Sequence, residues 1–186
     1  MSAAGHIDPS NKKVALLIAL LALVLAISET LGKSAQTAAL SYNIEASNLW
    51  AFFQAKTLRM TTVRAAAEGA QLQAAAATGE ARAAYDKQIE AWQKTAARYE
   101  SEPETNEGRK ELAARAKAAE ERRDRALAAY HLQEVASGAA QVGIVLASAA
   151  IITSVMALAW IGAGLGIAGL VLMLIGLFAP TSVHLF

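Results

Sequence analysis

The chain of 186 residues has no cysteine, which removes disulfide frameworks, thiol nucleophiles and thiolate metal sites together. Between Gly32 and Gly69 it also lacks proline and glycine, so nothing there interrupts a helix. The most informative absence is charge. After Glu134 there is no Asp, Glu, Lys or Arg up to Phe186, and the only titratable side chain is His184. A soluble domain does not end in such a stretch. A membrane protein can, because each charge at the bilayer centre costs about 2.5–3.5 kcal/mol on insertion scales. The chain is therefore expected to be an integral, multi-pass membrane protein.

One crossing needs roughly 20 apolar residues, and the uncharged run is long enough for two. It divides where the glycines cluster, at Gly162-Ala163-Gly164-Leu165-Gly166. The expected arrangement is one span over 139–161, then a turn and a second span over 162–180, ended by Pro180. Trp160 beside that turn suits a membrane–water interface. Gly143/Ala147 and Ala149/Thr153, small residues four apart, permit close helix packing in lipid. The same spacing at Gly162/Gly166 is taken as a flexible turn. Near the other end, the run Val14–Ser28 is flanked by Lys12 and Lys13 before it and by Glu29 and Lys33 after it. Ser28-Glu29-Thr30 does not resemble a cleavage site, so 14–32 is expected to be an uncleaved anchor and the first of three spans. Residues 1–13 and 181–186 are polar or short tails.

Residues 33–138 hold nearly all the charge. Between Ser34 and Gly138 there are 14 basic and 14 acidic residues, with no basic patch, so nucleic acid is not an expected partner. Alanine, glutamate, glutamine, lysine and arginine dominate, and all favour helix. The expected elements are a first helix continuing from the anchor to about 77, a break at Thr78-Gly79 and a second helix to about 101. A loop follows at 101–108, then a third helix that runs on into the second span. Tyr42, Leu49, Trp50 and Phe53 share one face of the first helix. In the second, Tyr85, Ile89, Trp92, Ala96 and Tyr99 are spaced 4, 3, 4, 3, the rhythm of a coiled coil. The fold class is thus all-α, with three transmembrane helices and a long antiparallel, coiled-coil-like extramembrane segment.

Alanine-rich helices bury little apolar area, and helix stability comes mostly from a packed face. The eight residues Tyr42, Leu49, Trp50, Phe53, Tyr85, Ile89, Trp92 and Tyr99 are therefore expected to pack between subunits. Gln54, Lys56, Arg59 and Arg64 are expected to form a solvated face. Glu29 and Lys33, four apart and in the favourable order for an ion pair, form a candidate polar site at the membrane exit. Gly32-Lys33-Ser34 matches the end of a phosphate-binding loop. The earlier glycine such a loop needs would fall at Ile27, and no strand precedes it. His6, His131 and His184 lie far apart and, with Asp8, suggest no metal.

The segments SETLGKSAQT at the membrane exit and ASNLWAFFQAKTLR after it lie within Ala19–Arg59. On these segments the chain resembles a family of uncharacterised bacterial inner-membrane proteins known only as a domain of unknown function. The resemblance implies the three-span layout and carries over no functional residue.

Nothing in the chain supports an enzyme or a cofactor. The expected function is a homo-oligomeric membrane scaffold, with lipids and its own copies as partners. The alternatives are a pore subunit with Glu29 near its mouth, or an accessory subunit held by other membrane proteins. Lys12 and Lys13 favour a cytoplasmic N-terminus and a periplasmic helical segment.

Overall fold

The computed structural model describes residues 9–183; His6, Asp8 and His184 lie outside the described residues. Four helices make up the fold and no strand occurs among the described residues: α1 Pro9–Ala76, α2 Gly79–Glu100, α3 Arg109–Thr153 and α4 Met156–Phe178. The protein is all-α.

Helix α1 runs for 68 residues without interruption. Its threonines do not compete with the helix, because each hydroxyl donates to the carbonyl one turn back: Thr30 to Ala26 at 2.8 Å, Thr57 to Phe53 at 2.8 Å and Thr62 to Leu58 at 2.9 Å. The helix stops at Ala76, and Gly79 takes φ +59 to start α2, a left-handed conformation that suits glycine. The guanidinium of Arg82 donates to Ala74 O at 2.8 Å, a second bond to a helix-end carbonyl that the Ala77 N–H also reaches at 3.2 Å.

The α3–α4 connection is only Ser154 and Val155, with Ser154 at φ 59. This corrects the expected turn at Gly162–Gly166, and with it the span limits 139–161 and 162–180. Those glycines sit within α4, and α4 reaches 23 residues. At about 1.5 Å per residue that length crosses a hydrocarbon core of about 30 Å. α1, α3 and α4 are each long and apolar enough to cross a membrane.

The chain falls into two compact units. One comprises the residues up to Leu40 with those from Arg123 onward; the other is Ser41–Arg122. In the first, parts of α1, α3 and α4 pack as a three-helix bundle in which small residues of α3 and α4 meet each other and Val14, Leu21 and Leu132 fill the space between. The buried positions of α4 are Ala159, Gly162, Gly166, Gly169, Met173 and Gly176, spaced 3, 4, 3, 4, 3. A Cβ on Gly162 would lie 2.8 Å from Gly143 O, and one on Gly143 would lie 2.9 Å from Gly162 O, so the two backbones touch. Large side chains such as Leu20, Leu23, Val145, Ile167 and Phe178 point outward. Small residues inside and large ones outside is how helices associate in lipid.

In the second unit, α1 is paired at each level with a single helix. Ala70 and Ala74 pack on Ile89 of α2, while Ala46 and Leu49 pack on Leu112, Ala116 and Ala119 of α3. The seam of α1 follows one heptad count. Ala46, Phe53, Met60, Ala67 and Ala74 alternate with Tyr42, Leu49, Lys56, Val63 and Ala70, all buried or half-buried. A strict seven-residue repeat of this length is the coiled-coil signature.

Candidate functional site

The eight residues expected to join subunits are used within the chain. Trp50 donates its indole N–H to Glu120 Oε1 at 2.9 Å and meets Phe53 edge-on at 5.4 Å. The Arg109 guanidinium lies 4.9 Å over Phe53, donates to Thr57 Oγ1 at 2.8 Å and reaches Glu100 at 2.8 Å. Tyr42 lies under Arg122 at 5.1 Å. Leu49 belongs to the α1–α3 cluster, and Tyr85, Ile89 and Trp92 close the α1–α2 cluster. Tyr99 faces the Lys56 ammonium at 5.4 Å. The periodicity identified the residues sharing a face; their partners are α2 and α3 of the same chain, so the stripe is not a vacant interface.

Lys56 is a second correction. It is not on a solvated face but 6% exposed in the seam itself. Its ammonium lies 3.9 Å from Glu102 and 3.7 Å from Glu107, with the Phe52 and Tyr99 rings each at 5.4 Å. Both carboxylates belong to the loop between α2 and α3, so Lys56 pins that loop to α1. The loop is further tied by Glu111, which accepts from the Ser101 hydroxyl at 2.6 Å and the Glu102 N–H at 3.1 Å. The Ser101 hydrogen bond holds the Glu111 carboxyl below the usual carboxylate range. The Arg98 guanidinium does the same for Glu102. Gly108 is required here, because a Cβ would lie far inside van der Waals contact with Glu102 N and with Ser101 Cα, the latter at 2.6 Å.

The opposite face of α1 is the feature sequence reasoning missed. Ile44, Asn48, Ala51, Ala55, Leu58, Thr62, Ala65, Gly69 and Leu72 recur at alternating four and three residues, and all are exposed. Ile44 is 61%, Leu58 70% and Leu72 79% exposed. None of the nine carries a charge. Residues 41–76 of α1 hold 5 ionisable Asp, Glu, Lys or Arg side chains. The stretches paired with them, 79–100 and 109–122, match that length together and hold 8 each. The signal was available as Ile44, Leu58 and Leu72, fourteen apart, but alanine and threonine between them disguised it.

Glu29 and Lys33 are brought into a cleft in the first unit. It has a volume of about 280 Å³ and is lined by Ser28, Glu29, Gly32, Lys33 and Gln36 of α1 with Tyr130, Gln133, Glu134 and Ser137 of α3. No ion pair joins Glu29 to Lys33 among the described residues; Glu29 instead accepts from Gln141 Nε2 at 3.5 Å. Gln133 donates its Nε2 to Met173 O at 3.0 Å, while its Oε1 and the Ser28 Oγ are buried without a partner. Among the described residues no group of three or more His, Cys, Asp or Glu side chains converges as for a metal.

Residues 10–179 match the family described as Domain of unknown function (DUF4337). The chain belongs to that family. No curated protein and no solved structure matches it. The DUF4337 match runs from the start of α1 to the end of α4, so it takes in the three apolar helices, the aromatic seam and the cleft alike.

Proposed function

We propose that this protein is a non-enzymatic, homo-oligomeric scaffold of the bacterial inner membrane. Copies join along the outer face of α1 between Ile44 and Leu72. The observation that carries this reading is the asymmetry of charge between α1 and the helices paired with it. A helix face meant for water carries charge, as α2 and the start of α3 do; a stripe of leucine, alanine, threonine and glycine at heptad spacing is the composition of a helix–helix contact. Burying a Leu side chain stabilises by about 1.5–3 kcal/mol, and this stripe offers Leu58 and Leu72 at two levels.

The same helix α1 includes an apolar stretch long enough to span. Two copies inserted with the same orientation therefore present α1 in parallel, and residues meet their own counterparts across a two-fold axis. The test uses the native lack of cysteine. Leu58→Cys in membranes treated with a mild oxidant is expected to give a disulfide-linked dimer, and Lys94→Cys on the charged face of α2 is not. Products of Leu58→Cys only with foreign chains, or none at all, overturn self-assembly. The first result would favour an accessory subunit.

We further propose that Lys12 and Lys13 hold the N-terminus in the cytoplasm, because basic residues flanking the first span usually set orientation. Ser101→Cys is then expected to react with an impermeant maleimide in intact spheroplasts. Labelling only after lysis reverses the assignment.

A further inference from the structure

The cleft beside Glu29 is not used by the scaffold reading and holds an unusual set of groups for its place in the chain. It opens where α1 changes from apolar to charged, and that is the depth of lipid headgroups if α1 spans. No residue of α4 lines it, so the groove between α1 and α3 is left uncovered there. Two of its lining side chains are almost wholly buried, Ser28 at 0% and Gln133 at 2% exposure. Each has an oxygen with no hydrogen-bond partner. A buried polar oxygen left unpaired is destabilising, and more so where water is scarce. The Gln133 amide is oriented by its bond to Met173 O, which leaves Oε1 as an acceptor. The Ser28 hydroxyl can serve as a donor.

The ionised groups add to the same pattern. Glu29 and Glu134 supply two negative charges and Lys33 one positive charge. A ligand matching this set carries a cationic nitrogen with N–H donors and an anionic oxygen group close together. The volume of about 280 Å³ lies just below the usual range of about 300–1,000 Å³ for small-molecule pockets, so the ligand is of headgroup size. We propose that the cleft binds the headgroup of a phospholipid bearing a primary ammonium, of the phosphatidylethanolamine type. The ammonium lies against Glu29 and Glu134 and the phosphate against Lys33, all at the open surface of the cleft, and the headgroup reaches the enclosed Gln133 Oε1 and Ser28 hydroxyl only as the lining side chains part. Choline headgroups lack the N–H donors, and glycerol headgroups lack the cation.

The test is native mass spectrometry of the full chain in mild detergent, with phosphatidylethanolamine, phosphatidylcholine or phosphatidylglycerol added singly. Phosphatidylethanolamine is expected to be retained about tenfold more than either other lipid, as the loss of charge-assisted hydrogen bonds would require. The preference is expected to vanish in Glu29→Gln/Glu134→Gln and to persist in Glu121→Gln, which lies outside the cleft. Equal retention of the three lipids, or a double variant that keeps the preference, overturns the proposal. Soluble phosphoethanolamine is added as a competitor. Failure to displace the lipid supports a lipid site, whereas displacement at equal concentration assigns the cleft to a soluble ligand and overturns it. Resistance of the protein to carbonate extraction, measured separately, checks the membrane insertion on which the site depends.

Discussion

The two units of this protein use the same periodicity with opposite chemistry. In the three-helix unit the heptad positions of α4 are glycine and alanine except Met173, backbones touch at Gly143 and Gly162, and most large apolar side chains of α4 face outward. In the paired-helix unit the seam holds Leu49, Phe53, Met60 and even Lys56, and charged residues crowd the outer faces of α2 and α3. Under the membrane reading proposed above, what differs is the solvent each face meets. Lipid tails are as apolar as leucine, so bulk inside gains nothing and close backbone approach gains dispersion contact. In water, bulk inside removes apolar area, and ionised side chains keep the outer surface solvated. The outer face of α1 fits neither rule while it stays bare, and for that reason it is the face assigned to a partner.

The comparison is broken most sharply by adding a single methyl group. Gly162→Ala places a Cβ 2.8 Å from Gly143 O, and backbone cannot move aside as a flexible side chain can. The expected loss is about 1–3 kcal/mol, the usual cost of overpacking, read as a lower midpoint in a denaturing-detergent titration. Gly164→Ala, two residues on in the same helix, meets nothing within 4 Å. It is expected to be neutral or to stabilise by up to about 1 kcal/mol, as alanine does over glycine in a helix. If both variants behaved alike, close packing of α3 on α4 would not be what holds that unit together.

The same residues show what the sequence could and could not disclose. The break at Thr78-Gly79 and the loop at 101–108 were legible because turn-forming residues stand there, and the continuity of α1 followed from the lack of proline and glycine between Gly32 and Gly69. The α3–α4 turn was not legible. Glycine breaks helices in water but lines helix contacts in lipid, and Gly162, Gly164 and Gly166 look identical under either use. Ser154 and Val155, which do make the turn, carry no turn signal. The aromatic stripe was visible as a face, yet periodicity does not say which helix covers a face. Lys56 hid the seam of α1, since a lysine among apolar residues looks like the edge of a pattern; only its position beside Glu102 and Glu107 gives it an internal partner.

That lysine and its loop offer a finer test, confined to the unit that carries charge. Glu102 and Glu111 both have carboxyl groups held below the usual range, by Arg98 and by Ser101 respectively. A carboxyl with a depressed pKa in the folded state contributes stability that is fully present above its unfolded pKa of about 4.3 and is lost as pH falls through the folded value. The loop is therefore expected to hold from neutral pH down to about the unfolded value and to loosen below it. Thermal unfolding of the protein in mild detergent between pH 6 and pH 3 is expected to show stability falling over that window. Glu111→Gln is expected to flatten the fall, because the amide still pairs with Ser101 but no longer titrates. A Glu111→Gln curve parallel to the parent would remove Glu111 from the linkage.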